Sequence, residues 1–123
     1  MDELVGSWAE ITAIVTDTDT ALYLGSGDVP VLGTPRVVAL VEEASCAAIS
    51  DGLEEGRTTV GTRIELDHLS PSAVGAEIIA RAEVISVDGN WVDLAVSVMM
   101  GDEEVARGRH LRVVVSRDRF ENT

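Results

Sequence analysis

Along most of the chain, apolar residues either alternate with polar ones or form short runs, a pattern that predicts strands. Residues 8–15 are predicted to be a first strand, and four longer candidates follow later: Thr58–Leu69, Ala76–Val87, Asn90–Met100 and Glu103–Ser116. Asp88-Gly89 and Gly101-Asp102 fit tight hairpin turns, and Gly75 marks the remaining reversal of the chain. We therefore expect the last four strands to form an antiparallel meander.

Residues 34–51 are the one segment whose apolar residues cover a broad helical surface. Thr34 suits the N-cap position, Pro35 suits the first helical position, and Gly52 ends the helix. The apolar surface is wide enough that we expect the helix to be largely buried. Its members are Val37, Val38, Leu40, Val41, Ala44, Ala47, Ala48 and Ile49.

Between the first strand and this helix, residues 16–33 are rich in Asp, Thr and Gly, and they predict a long lid-like loop. A turn of helix is expected within it, around Thr20–Leu24. The chain of 123 residues fits one domain spanning 1–123. The element order predicts an α+β fold, in which one long buried helix packs against one antiparallel five-stranded sheet.

The charge balance excludes several classes of partner. Asp and Glu number 22 against 9 arginines and no lysine, and the net charge is −13. Nucleic acids and anionic membranes both require a basic surface, so neither is an expected partner. With a single cysteine, Cys46, and two histidines that lack ligands at metal-binding spacing, we expect no disulfide and no metal site. An acidic N-terminal segment without leader features predicts a cytoplasmic protein.

Positive charge is concentrated at one end of the sequence. Residues 1–104 hold four arginines and twenty acids, net −16, whereas residues 105–123 hold five arginines and two acids, net +3. The five are Arg107, Arg109, Arg112, Arg117 and Arg119. They either pair with acids of the same or a partner chain, or they form a site for a phosphate-bearing ligand.

A carboxylate falls on the apolar side of the predicted helix. Glu42 follows Val38 by one helical turn, whereas a rotation of 100° makes Glu43 the solvated neighbour. Burying an ionised carboxylate costs several kcal/mol unless it is paired. Glu42 is therefore either a residue at the rim of the apolar face or a functional group.

His68 ends a predicted strand and points in the same direction as the core residues. By period two, it shares one face with Val60, Thr62, Ile64 and Leu66. An inward histidine is commonly a hydrogen-bonded structural residue, but imidazole is also the natural base near neutral pH. Both alternatives stay open on the pattern alone.

The spacing of these polar residues resembles that of the fluoroacetyl-CoA thioesterase-like family. That family carries a Thr at the helix start, a Glu eight residues later and a His 26 residues after the Glu. It also carries a Gly-Thr pair before the His and a Gly-x-His-x-Arg strand. The matching residues are Thr34, Glu42, His68, Gly61, Thr62, Gly108, His110 and Arg112.

The resemblance implies a hotdog fold, in which an antiparallel sheet wraps one long helix, and an acyl-CoA thioesterase. By resemblance the catalytic residues are Thr34, Glu42 and His68. The residues that bind the substrate or coenzyme A are Gly61, Thr62, His110 and Arg112. No cofactor is implied, since coenzyme A is part of the substrate. The enzyme that names the family has phenylalanines in its lid, and residues 23–28 have none, so the acyl group stays open.

Helix geometry adds an expectation about assembly. Thr34 and Glu42 lie eight residues apart, or ~12 Å along a helix axis, so one imidazole cannot contact both in a single subunit. We therefore expect the site at the interface of a homodimer, with Thr34 from one chain and Glu42 or His68 from the other. A tetramer of paired dimers stays open.

Two further functions fit the same resemblance. Hotdog sheets also support hydratases or dehydratases of enoyl or hydroxyacyl thioesters, which use His with an acid and do not need Thr34. A non-catalytic acyl-CoA-binding module is the third alternative, because a fold alone does not determine function.

Overall fold

In the computed structural model, which describes residues 1–122, one antiparallel sheet of five strands packs against one long helix. The elements are β1 (Trp8–Ile14), α1 (Ala21–Leu24), α2 (Thr34–Ser50), β2 (Arg57–His68), β3 (Glu77–Asp88), β4 (Trp91–Met100), β5 (Glu103–Ser116) and α3 (Arg117–Glu121). Short 3₁₀ turns occupy Asp2–Leu4 and Asp17–Asp19. The predicted α+β fold is confirmed, and the 3₁₀ turn at Asp2–Leu4 and the short helix α3 have no counterpart in the prediction.

The strands lie in the order β1-β3-β4-β5-β2, with every neighbour antiparallel. Strands β3 to β5 form the expected meander through the two-residue turns Gly89-Asn90 and Gly101-Asp102, the first one residue later than predicted. The meander does not extend to β2, which pairs with β5 instead of β3, so that expectation was wrong. The connection 69–76 is long enough to cross the sheet, and β2 becomes an edge strand.

Helix α2 lies across the inner face of the sheet. Its buried residues are Val37, Leu40, Val41, Ala44, Ser45, Ala48 and Ile49. They pack against alternate residues of β3 and β4, namely Ile78, Ala80, Ala82, Val84, Val92, Leu94, Val96 and Val98. This apolar layer explains the broad helical surface in the sequence, because the helix is covered by a sheet that curves around it. No helix within residues 1–122 combines the length and the apolar character needed to cross a membrane.

The start of α2 differs from the prediction. Gly33 is the N-cap residue, and Thr34 is the first residue with helical geometry, so the predicted capping role of Thr34 was wrong. Pro35 follows at the second position, where its missing N–H costs nothing. The Thr34 hydroxyl is therefore not used to cap the helix.

Strand β2 contains a bulge between Gly61 and Arg63. Gly61 pairs with Arg112 and Arg63 pairs with Leu111, so Thr62 is the extra residue. Because the bulge shifts the alternation by one residue, it is Gly61 that shares the inner face with His68. The expectation that Val60 and Thr62 share the face of His68 was therefore wrong, whereas the same expectation for Ile64 and Leu66 agrees with the register.

The predicted lid-like loop, residues 16–33, is closed by backbone hydrogen bonds within itself, and Leu32 N–H donates to the Ser72 carbonyl at 2.9 Å, which joins the loop to the connection 69–76. Ala21 N–H donates to the Val31 carbonyl at 2.8 Å, and Gly33 N–H donates to the Asp19 carbonyl at 2.9 Å. The Asp19 carboxylate also accepts from Arg36 Nε at 3.0 Å. Asp19 thus binds residues on both sides of Thr34 and fixes the start of α2.

Candidate active site

Thr34 and His68 meet at the N-terminal end of α2. Thr34 Oγ1 lies 2.8 Å from His68 Nδ1, which is hydrogen-bonding distance. The first residue of the helix and the last residue of β2 supply the two groups. Both come from one subunit, so the alternative in which His68 reaches Thr34 from a second chain was wrong.

The surroundings of His68 favour its neutral form. Burial lowers the pKa of His68 below its ordinary value, and the Ser70 backbone opposes this shift only in part. Within residues 1–122, the buried Nε2 atom has no hydrogen-bond partner. A neutral imidazole at hydrogen-bonding distance from a hydroxyl can accept a proton, which is the requirement for a general base.

An open pocket of about 340 Å³ lies beside this pair. Its walls come from residues 21–33, which include α1 and the chain that follows it, and from residues 68–71 after the end of β2. Thr34 and His68 are the polar groups that face one another in it. The predicted lid-like segment therefore forms one wall of the candidate site.

Glu42 lies in a second cluster, where it pairs with a buried arginine. Glu42 Oε2 is 3.1 Å from Arg112 Nη1. Arg112 is only 6% exposed, and it also donates through Nε to Thr59 Oγ1 at 2.9 Å and through Nη2 to the Thr59 carbonyl at 3.0 Å. A guanidinium with this many partners stays charged when buried, and Glu42 supplies its counter-charge. The expectation that Glu42 rather than exposed Glu43 is partly buried is confirmed.

His110 supports the same arginine. His110 Nε2 lies 3.1 Å from Arg112 Nη1, and Nδ1 lies 2.9 Å from the Arg63 carbonyl oxygen. Because arginine can only donate, Nε2 accepts and the ring proton sits on Nδ1. Burial is the largest effect and lowers the pKa of His110, and the Arg112 charge lowers it further. The Arg63 backbone bond and the Glu42 carboxylate, 3.4 Å from Nε2, oppose this shift in the pKa. His110 is therefore a neutral residue that orients Arg112.

Gly61 is required by close packing in this cluster. A Cβ atom at Gly61 would overlap Glu42 Oε2 and would lie 3.1 Å from both Arg112 Nη1 and His110 Cε1. Any larger residue displaces the Glu42 carboxylate from the surface of β2. Thr62 lies next to it in the bulge, and both line a pocket of about 240 Å³ together with Glu42.

We expect Gly61→Ala to fold but to lose the ion pair between Glu42 and Arg112. The clash is with the flexible end of a side chain, so the backbone can stay in place while the free energy of unfolding falls by about 1–3 kcal/mol. Urea unfolding of Gly61→Ala, Glu42→Ala and the double variant checks this. The losses should not add, because Glu42→Ala removes the clashing atoms, and additive losses would contradict the packing argument.

The two clusters are separate within one chain. His110 pairs across the sheet with Ile64, four residues before His68, which corresponds to about 13 Å along β2. Thr34 thus lies with His68, while Glu42 lies with Gly61, His110 and Arg112, and the three predicted catalytic residues do not assemble in one subunit. The sequence did not identify Thr59 as a partner of Arg112, because a regular strand would point its side chain outward and the bulge turns it inward.

The arginine-rich end of the sequence forms ion pairs within the chain. Arg107 pairs with Glu104 at 3.2 Å, Arg109 with Asp93 at 2.7 Å, and Arg117 with Glu121 at 3.6 Å. Arg112 pairs with Glu42. These contacts favour the intrachain-pairing alternative over a dedicated phosphate site. Among residues 1–122, no three His, Cys, Asp or Glu side chains are grouped so as to hold a metal ion.

Comparison with known proteins identifies the family. A family model described as fluoroacetyl-CoA-specific thioesterase matches residues 15–118. The chain belongs to this family. Within the family, it is 32% identical over 90 residues to the fluoroacetyl-CoA thioesterase of Streptantibioticus cattleyicolor, a match that covers 73% of this chain. The match spans just under two thirds, 65%, of the length of that enzyme.

Solved structures agree with the family assignment. A fluoroacetyl-CoA thioesterase superposes with a TM-score of 0.88 at 27% identity, covering 96% of this chain and 92% of that one. A thioesterase superfamily member of Thermus thermophilus gives 0.88 at 27% identity, covering 96% and 88%. A hot-dog-like protein of Thermanaerovibrio acidaminovorans gives 0.89 at 27% identity, covering 98% and 91%. The predicted hotdog fold is confirmed.

Proposed function

We propose that this protein hydrolyses the thioester bond of an acyl-CoA. The observation that carries the proposal is the 2.8 Å contact between Thr34 Oγ1 and His68 Nδ1 beside an open pocket. Membership of a family described as thioesterases supports the choice of a thioester as substrate. The proposed reaction uses side chains of the protein alone, with coenzyme A as part of the substrate.

His68 acts as the base in the proposed reaction. Its Nδ1 removes the proton either from the Thr34 hydroxyl or from a water molecule that this hydroxyl holds. The deprotonated oxygen attacks the thioester carbonyl, the C–S bond breaks, and the proton on His68 passes to the sulfur of coenzyme A. With Thr34 as nucleophile, water then hydrolyses the acyl-enzyme. The positive end of the α2 dipole stabilises negative charge that develops near Thr34.

The second cluster completes the site in the proposed homodimer. Strand β2 is an edge strand, and edge strands present unpaired backbone groups that a second copy can pair with. A two-fold antiparallel pairing centred between Ile64 and Glu65 sets Gly61 of one copy across from His68 of the other. Glu42 of the first copy then approaches the unpartnered Nε2 of His68 in the second copy. The backbone near Gly61 of the first copy approaches the oxyanion that develops on the thioester carbonyl.

A thiol-release assay on a panel of acyl-CoAs, containing saturated and enoyl thioesters, tests this function. Hydrolysis releases free coenzyme A from the saturated thioesters. Addition of water to an enoyl thioester without thiol release would instead identify a hydratase. Binding without either reaction would identify a binding module. The contact between Thr34 and His68 favours hydrolysis, because a hydratase does not need Thr34.

The rate of hydrolysis should depend on pH through His68. Because burial lowers the pKa of His68 below its ordinary value of 6.5, the ring is neutral throughout the neutral range. We expect kcat/KM to be constant from about pH 7 to pH 8 and to fall only below the ordinary histidine pKa. A stopped-assay profile between pH 5 and pH 8 measures this.

Unfolding must be measured in the same buffers. The pKa values of His68 and His110 are both lowered in the folded protein, so in mildly acidic buffer the unfolded chain binds more protons than the folded one. The free energy of unfolding therefore also falls as the pH drops through the ordinary histidine pKa. Far-UV circular dichroism identifies the range in which the protein stays folded. A loss of activity centred above pH 7 in folded protein would contradict His68 as the base.

A further inference from the structure

The pocket beside Thr34 and His68 has no charged residue among the described residues that line it, although 25% of the chain is Asp, Glu or Arg. Its apolar walls are Ala21, Val29, Val31, Leu32, Leu69 and Pro71, and the rest of the lining is Gly and Ser apart from the reacting pair. We propose that this pocket takes the acyl chain and selects an uncharged, apolar acyl group longer than acetyl. The inference rests on the proposed function of the same site.

Anionic acyl groups lack a partner in this pocket. A buried carboxylate costs several kcal/mol unless a cation pairs with it. Arg36, on the first turn of α2, is bound by Asp19 at 3.0 Å, and Arg112 is bound by Glu42 at 3.1 Å. The net charge of −13 adds repulsion. A dicarboxylic acyl group such as succinyl is therefore a poor substrate compared with an uncharged acyl group of the same length.

The apolar walls favour a longer chain. Each methylene that leaves water for an apolar wall improves binding about fourfold, and this gain appears in kcat/KM when the chain is held in the transition state. An open volume of about 340 Å³ leaves room beyond the carbonyl carbon. Butyryl-CoA should therefore exceed acetyl-CoA by at least about tenfold in kcat/KM.

Val29 is the position at which this selectivity can be changed. Val29 lines the pocket and is half exposed, so the fold tolerates a larger residue there. Leu22 N–H donates to the Val29 carbonyl at 3.2 Å, so the two residues are neighbours in the same loop. Leu22 is 58% exposed and does not line the pocket. Leu22→Arg is therefore a matched control for Val29→Arg.

The test compares butyryl-CoA with succinyl-CoA, which have acyl chains of equal length and differ in a terminal methyl or carboxylate. In the unaltered protein, kcat/KM for succinyl-CoA should be at least a hundredfold lower. Val29→Arg should reduce the ratio of kcat/KM for butyryl-CoA to kcat/KM for succinyl-CoA at least tenfold. Leu22→Arg should change that ratio by no more than about twofold. A preference for succinyl-CoA, or equal effects of the two substitutions, would overturn the inference.

Binding of non-hydrolysable thioether analogues keeps the two proposals separate. Isothermal titration calorimetry with the butyryl and succinyl analogues measures acyl selectivity without any turnover. If no acyl-CoA releases thiol but the butyryl analogue binds more tightly, the selectivity stands and the hydrolase proposal fails. If neither analogue binds, or the succinyl analogue binds as tightly, the selectivity is overturned.

Discussion

His68→Ala should lower kcat for thioester hydrolysis by about 10²- to 10⁴-fold, the range by which a positioned general base accelerates a reaction. His68 is the base at 2.8 Å from the Thr34 hydroxyl, and its half-buried ring holds that hydroxyl in place. Stability should change little by comparison, because Thr34 is exposed and water can replace the lost partner. Thiol release and thermal unfolding of the same preparation measure both effects.

Two substitutions at Thr34 serve as controls for that result. Thr34→Ser keeps the hydroxyl and should retain most of the activity, whereas Thr34→Val keeps the shape and removes the hydroxyl. We expect Thr34→Val to lose activity by at least tenfold, whether Thr34 attacks the carbonyl or orients water. An active His68→Ala protein, within tenfold of the unaltered one, would remove His68 from the mechanism.

The second large effect concerns stability. Arg112→Met should lower the free energy of unfolding by about 3 kcal/mol, toward the lower end for breaking a buried pair, because Glu42 keeps a side-chain exposure of 39%. The substitution leaves the Thr59 carbonyl, His110 Nε2 and the Glu42 carboxylate without their common donor. Urea unfolding monitored by circular dichroism provides the measurement.

Arg109→Met is the matched control on the same strand. Arg109 pairs with Asp93 at 2.7 Å on the outer face, with more than half of its side chain exposed. An exposed pair of this kind contributes at most about 1 kcal/mol. Equal losses for the two arginine variants would mean that burial of Arg112 adds nothing to the stability of the fold.

The sequence predicts the elements well, because each is encoded by neighbouring residues. Local periodicity predicts the apolar surface of Thr34–Ser50. It also predicts the alternation in β5, in which His110 and Arg112 point inward and Arg109 points outward. Sheet order is different, since nothing local determines whether β2 pairs with β3 or with β5. That pairing depends on how the long connection 69–76 crosses the sheet.

The candidate site was predicted in parts. The spacing identified Thr34 and His68, but it could not show that they meet in one chain, because their contact depends on how β2 ends beside α2. A period of two does not reveal the bulge at Thr62, so Val60 and Thr62 were placed on the wrong face and Thr59 was not recognised as facing inward. Inward and outward side chains still alternate on both sides of a bulge, but the extra residue exchanges which of them face inward.

The bulge in β2 also changes how sequence comparisons should treat this segment. A slip of one residue turns every side chain of a strand to the opposite face, and Thr62 is the residue that pairs with nothing in β5. Gly61 and His68 are seven residues apart, so a homologue that kept this gap but formed a regular strand without the bulge would present only one of them to the helix. A homologue that lacked Thr62 would have a gap of six, and a regular strand would again place both on the inner face. In this segment the gap length therefore indicates whether a homologue needs the bulge: an odd gap between the Gly and the His requires it, and an even gap does not.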